Sequence, residues 1–214
     1  MKKRESIKTK HKGRRDSIAS SITDWFHVDG STLDSFQQMC LEIARLIDDT
    51  MDDSDTSLKL SAVSTLEVLA HRFSSNYSVF SMCLPSITKG ICSNNLAISS
   101  SCLRTAGALV DALGPRAFVQ LPQIMENVIK TSSKFSAALS LPEESLMLSI
   151  LLALEAVVDK LGGFLNPYLE DIIRLVVHGP EYTSGSKMKL RQKADAVRKL
   201  LTEKIPVRFD KLRY

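Results

Sequence analysis

From residue 31 onward the apolar positions recur three and four residues apart, as in helices that bury one stripe. Leu33, Phe36, Cys40, Ile43 and Ile47 predict a helix over 31–49, and the acidic run at 48–55 predicts a solvated loop. Leu58, Ala62, Leu66, Leu69 and Phe73 share one face of a helix over 58–73, and a second helix follows over 77–92. A third spans 96–113 with Ile98, Cys102, Ala106, Leu109 and Leu113 inward. A fourth, after Pro115, holds Val119, Ile124, Val128 and Ile129. The fifth, 143–161, turns Met147, Ile150, Leu154, Val157 and Leu161 to one side, and the sixth, 167–178, does the same with Leu169, Ile172, Ile173 and Val176. A basic helix over 187–204 comes last.

The boundaries have local causes. Gly114 and Gly162 follow the third and fifth helices, where a left-handed residue ends a helix without strain. Pro115 prevents continuation. Ser140 and Glu143 have the spacing of a capping box.

The pattern repeats. Val110-Asp111 followed by Leu113-Gly114 can be laid on Val158-Asp159 followed by Leu161-Gly162. The second helix of each pair carries Pro-x-Ile/Leu, at Pro85, Pro122 and Pro167, 37 and 45 residues apart. HEAT and armadillo units have periods of about 40–47 residues. A proline early in the second helix starts or bends it, and each pair leans on the next. The fold class is therefore all-α, an α-solenoid of HEAT- or armadillo-like helix pairs. A single pair cannot bury its apolar face, so the units must stack. The expected organisation is a disordered basic tail at 1–17 and an N-terminal helix with acidic loop at 18–56. Three HEAT-like pairs at 57–180 and a basic C-terminal helix and tail at 186–214 follow.

Composition agrees with helices. Of 214 residues 44% are hydrophobic and only 6% aromatic, whereas strands favour aromatic and β-branched residues. The run at 146–158 is broken by Ser149 and Glu155 and is short of the roughly 20 apolar residues of a membrane span. The N-terminus has no apolar stretch of a secretory signal. Cys40, Cys83, Cys92 and Cys102 form no CxxC pair and read as buried, reduced thiols.

No chemistry-bearing motif emerges. Counted from Asp48, the acidic run has Asp53 and Lys59 where a calcium loop needs Gly and Glu. His11, His27, His71 and His178 are far apart, and no HExxH, GxSxG, GxxxxGK[ST] or GxGxxG is present. No catalytic, metal or cofactor residue is expected, nor a small-molecule substrate or a membrane partner. Asp111 and Asp159 recur at equivalent repeat positions, which predicts polar contacts between repeats.

Charge is uneven. Residues 1–15 carry eight Lys/Arg against one acid and 187–214 carry ten against three, so the body between them is acidic. Lys2, Lys3 and Arg4, then Lys10, Lys12, Arg14 and Arg15, have the form of a two-cluster nuclear-import signal, or of an ordinary solvated tail. Arg14-Arg15-Asp16-Ser17 resembles a basophilic-kinase site. In the last helix Lys187, Lys189, Arg191, Lys193, Arg198, Lys199 and Lys204 could neutralise RNA phosphates. They could equally meet an acidic protein face, because no stacking aromatics are interleaved with them.

Two stretches carry a family resemblance: Asn95-Leu96-Ala97-Ile98 through Gly114-Pro115-Arg116-Ala117-Phe118 to Leu121-Pro122, and Lys193 to Leu201 followed by Glu203-Lys204-Ile205-Pro206-Val207-Arg208. They resemble the large HEAT-repeat proteins associated with U3 small nucleolar RNA, most of all plant members. The likeness covers residues 55–208. It implies a non-catalytic scaffold of the nucleolar small-subunit processome, with processome proteins, the U3 ribonucleoprotein and pre-18S ribosomal RNA as partners. Such proteins are several times longer, which implies a fragment or a truncated product here. The other reading is a HEAT adaptor of another kind, in nuclear transport or phosphatase scaffolding.

Overall fold

The computed structural model describes residues 34–49, 55–135, 139–177 and 188–205. The chain divides into two compact units, Met1–Met39 and Cys40–Tyr214. In the first, Asp34 caps the opening of helix α1, Ser35–Asp49. The Gln37 N–H donates to Asp34 Oδ1 at 2.8 Å, and the Asp34 N–H donates to Gln37 Oε1 at 3.1 Å. This reciprocal cap satisfies two amides that have no partner in the helix. It starts the helix four residues after the expected Ser31.

The second unit holds the end of α1 and seven further α-helices among the described residues: α2 Thr56–Arg72, α3 Tyr77–Gly90, α4 Leu96–Leu113, α5 Leu121–Ser132, α6 Leu141–Leu161, α7 Leu169–Val177 and α8 Met188–Lys204. The described residues include no strand. Helices α2, α4, α6 and α8 pack side by side in one layer. The second helices lie on the other side, and α3 leans on α4 and α7 on α8, each on the next pair. This is the α-solenoid expected from the repeat. The helix at the basic end is not an appendage: it takes the place of a fourth first helix.

The predicted inward faces of α4, α6 and α7 are all buried. The face of α2 is rotated from the predicted one. Ala62, Val63, Leu66 and Ala70 are buried, while Leu58 and Phe73 are exposed. The buried positions are those turned toward α4, the helix packed beside α2.

Two expected helix starts change for physical reasons. The fourth helix does not start at Pro115. Gly114–Gln120 forms a 3-10 segment, and α5 begins at Leu121 with Pro122 in its first turn, where a missing N–H costs nothing. Val119 is exposed as a result. Pro167 likewise lies in a 3-10 turn, Asn166–Tyr168, ahead of α7, but Pro85 sits in the middle of α3. The three prolines thus do not mark one register. The two helix-ending glycines also differ. Gly114 has φ +57, as expected of a residue that terminates a helix. Gly162 is right-handed, with φ −47, and is small for another reason: a Cβ there would lie 3.0 Å from Lys204 Cβ. Helix α8 comes close enough here that an added Cβ would crowd Lys204.

Ser140 and Glu143 interact at the start of α6: the Ser140 N–H and Oγ both donate to Glu143 Oε2, at 2.7 and 2.6 Å. These bonds hold the Glu143 carboxyl below its usual range. The stretch Leu96–Ser132 is long and apolar enough for a bilayer by composition, but 72% of its apolar window is buried inside the stack. Its apolarity is that of core helices.

Candidate interaction surface

Buried hydroxyls and amides join the repeats. The last carbonyls of α3 lack intrahelical partners. Asn127 Nδ2 of α5 donates to the Thr88 carbonyl at 2.8 Å, and Ser99 Oγ and Thr131 Oγ1 donate to the Ile91 carbonyl at 2.5 and 3.3 Å. In the first-helix layer Thr105 Oγ1 donates to the Val63 carbonyl at 3.2 Å, and Ser100 and Ser149 share a hydrogen bond of 2.7 Å. Buried polar atoms need such partners. The sequence signal that could have found them is the pair Ser99-Ser100 inside a helix that is largely apolar; the neighbouring Ser101 Oγ, also buried, has no such partner among the described residues.

Charged groups make a second set of links. An open groove of about 500 Å³ crosses the first-helix layer, lined by Glu67, His71, Arg104, Asp111, Glu155 and Asp159, among others. Each acid there has a cation from a neighbouring helix. Glu67 meets Arg104 at 3.6 Å, Asp111 meets Lys160 at 3.0 Å, and Glu155 meets Lys193 at 2.7 Å. Asp159 meets both Lys160 and Lys204 at 3.0 Å. The expected role of Asp111 and Asp159 is therefore observed: each binds a lysine near the end of the next first helix. The bonds from Lys160 and then Lys204 hold the Asp159 carboxyl below its usual range, and Asp111 and then Asp159 raise the Lys160 ammonium above its own. The groove is neutral in sum.

This ladder uses several of the cations assigned to RNA or an acidic partner. Lys193 and Lys204 bind Glu155 and Asp159 of α6. Arg198 pairs with Asp195, and Lys199 lies 3.9 Å from Glu203, both within α8. Lys189 and Arg191 are exposed and have no carboxylate at ion-pair distance among the described residues. Lys187 lies outside the described residues. So do all of the proposed import signal (Lys2, Lys3, Arg4, Lys10, Lys12, Arg14 and Arg15), Ser17 and His178.

Most of the acidic run lies outside them too, but its two ends are not simply solvated. Asp48 accepts from Ser86 Oγ at 2.7 Å and Lys89 Nζ at 3.2 Å, tying α1 to α3. Asp55 caps α2 through the Leu58 N–H.

All four cysteines are free thiols, three of them buried. Burial pushes the Cys83 thiol up and the Cys102 thiol up to about 12, so both stay protonated and unreactive at neutral pH. The Cys83 thiol donates to the Cys40 carbonyl at 3.5 Å.

The remaining surface feature was not anticipated. All the exposed aromatic residues among those described, Phe73, Tyr77, Phe118 and Phe164, lie on the turns linking first to second helices. The Arg116 guanidinium covers the Tyr77 ring, 4.0 Å from its centroid, and the Phe118 and Phe164 rings meet at 4.5 Å. The Gly-Pro-Arg-Ala-Phe string contained both partners from one turn, but not the contacts they make.

The fold and these links define a HEAT-type α-solenoid whose units are joined by polar and ionic contacts. Sequence comparison points the same way. The chain is 49% identical over 210 residues, 95% of its length, to an uncharacterized protein of Arabidopsis thaliana, of which it covers 10%. It is 33% identical over 110 residues to human HEAT repeat-containing protein 1, covering 50% of this chain and 5% of the relative. The Dictyostelium discoideum homolog is 27% identical over 187 residues, covering 84% and 8%. The chain is thus a distant homologue of HEAT repeat-containing protein 1 and spans a tenth or less of these relatives. No protein-family model matches it, and no solved structure does.

Proposed function

We propose that this chain is a non-catalytic scaffold in ribosome biogenesis, a HEAT-type element of the U3-associated small-subunit processome acting on pre-18S ribosomal RNA in the nucleolus. The observation that carries this reading is the distant homology to HEAT repeat-containing protein 1 across the repeat units. The resemblance of residues 95–122 and 193–208 to the U3-associated family supports it.

The mechanism is geometric. Stacked repeats hold partners on an extended surface, and the ion-pair ladder fixes the relation between neighbouring units. With Lys193 and Lys204 engaged inside the stack, the C-terminal helix serves protein contacts better than RNA phosphates. The acids of the groove are paired, which suits a structural role better than acid–base chemistry.

Imaging of a tagged full chain tests the location. The reading predicts a signal over nascent pre-ribosomal RNA, lost when Lys2, Lys3, Arg4, Lys10, Lys12, Arg14 and Arg15 are replaced by glutamine. An even cytoplasmic signal from the unaltered chain contradicts it.

A further inference from the structure

We propose that the ridge formed by Tyr77, Arg116, Phe118 and Phe164 is a docking surface for an apolar segment of a partner protein that carries a carboxylate among its apolar anchors.

The ridge crosses three consecutive units. Tyr77 opens α3, Arg116 and Phe118 stand on the 3-10 segment after α4, and Phe164 stands on the one after α6. The Arg116–Tyr77 and Phe118–Phe164 contacts connect each turn to the next. These contacts cover only part of the rings. Tyr77 is 46% exposed and Phe118 and Phe164 are each 48% exposed, with Val119 beside them at 74%.

An aromatic side chain presents roughly 150–250 Å². Three rings about half exposed therefore leave on the order of 300 Å² of apolar surface, the scale at which patches on a monomer tend to be functional. In a chain with 6% aromatic residues, gathering every exposed ring of the described residues on one set of turns is not what solubility favours.

Charge identifies the occupant. Arg116 has no carboxylate at ion-pair distance among the described residues; its guanidinium lies over the Tyr77 ring, and a guanidinium can bind a carboxylate through two N–H groups. The lysines at the adjoining helix end, Lys160 and Lys204, are already neutralised by Asp111 and Asp159. One cation among three rings fits a partner with apolar anchors around one Asp or Glu. Aromatic residues and arginine are also the types that dominate protein–protein hot spots. A single-stranded RNA would need a cation for each phosphate it lays down, and the ridge offers one.

The ridge serves the scaffold role proposed above. Its test uses the purified chain alone, so failure to bind and failure to reach the nucleolus are separate results. A random-peptide display library is selected on the full chain, on Arg116→Glu and on Phe118→Ser, with circular dichroism confirming that each is folded. Phe164→Leu stands in should Phe118→Ser not fold.

The expected peptides are apolar with one acid, bind the ridge variant about tenfold more weakly, and give way to peptides with one base on Arg116→Glu. Peptides indifferent to both substitutions overturn the proposal. So does tight binding of an oligouridine probe that Phe118→Ser abolishes, which assigns the ridge to RNA. Concentration-dependent dimerisation lost in the same variant assigns it to a second copy and also overturns the proposal.

Discussion

Asp159 of α6 accepts from Lys204 of α8 at 3.0 Å, one repeat after Asp111 of α4 binds Lys160 of α6 at the same distance. The equivalent acid of α8 is Glu203, one position before Lys204 as Asp159 is one before Lys160. The link thus occurs in two successive repeats. Both partners are substantially exposed, so each pair contributes little alone, about 0.2–1 kcal/mol. A double-mutant cycle of Asp159→Asn and Lys204→Met in urea should return a coupling of about 0.5 kcal/mol. A coupling of zero would mean the pair is incidental.

The same pairs set a pH dependence. Asp159 is held below its usual range, so its contribution is present above about pH 4 and is lost as pH falls through its lowered value. Lys160 is raised, so its contribution is complete below about pH 10 and is lost as pH rises through its raised value. Melting temperature measured against pH should be flat between these limits. Asp159→Asn should reduce the acid-side slope and Lys160→Met the alkaline one. Unchanged slopes would show that neither group is linked to folding.

Gly162 offers a test of sign. A right-handed glycine replaced by alanine ordinarily stabilises by about 0.4–1 kcal/mol. Here the new Cβ meets Lys204 Cβ at 3.0 Å, so Gly162→Ala should instead destabilise, in urea, by about 1 kcal/mol. Gly114→Ala should also destabilise, because φ is +57, but there is no atom within 4 Å to clash with. A stabilised Gly162→Ala would mean α8 sits less closely than described.

Asn127→Leu should destabilise by about 0.5–1.5 kcal/mol, because the buried Thr88 carbonyl loses the Asn127 donor and keeps only the Ile91 N–H. Leu154→Asp should abolish the cooperative melt, since it places an unpaired charge at a position with no exposure, between α6 and its neighbours. Circular dichroism checks both, and native helicity in Leu154→Asp would contradict the assigned core.

How much of this was legible depends on the range of the interaction. Helix stripes are local, so Ile98 to Leu113 and Met147 to Leu161 were placed correctly from spacing alone. The recurrence of Asp111 and Asp159 showed that a contact between repeats exists, but not that Lys160 and Lys204 answer it. That pairing depends on how far one helix is shifted against the next. The prolines misled, because Pro85, Pro122 and Pro167 satisfy different backbone needs while sharing the Pro-x-Ile/Leu pattern. Gly162 looked like a helix terminator and is a packing glycine, a distinction that only the position of Lys204 reveals. The aromatic ridge was invisible for the same reason: Tyr77 and Arg116 are far apart in sequence and meet only when turns stack.

The most direct test of the scaffold reading is affinity purification of the tagged full chain with and without ribonuclease, followed by protein and RNA identification. The account predicts recovery of small-subunit processome proteins and U3 RNA, with the proteins retained after ribonuclease because the repeats hold them directly. Recovery of neither, from cells in which the chain is folded and expressed, contradicts it.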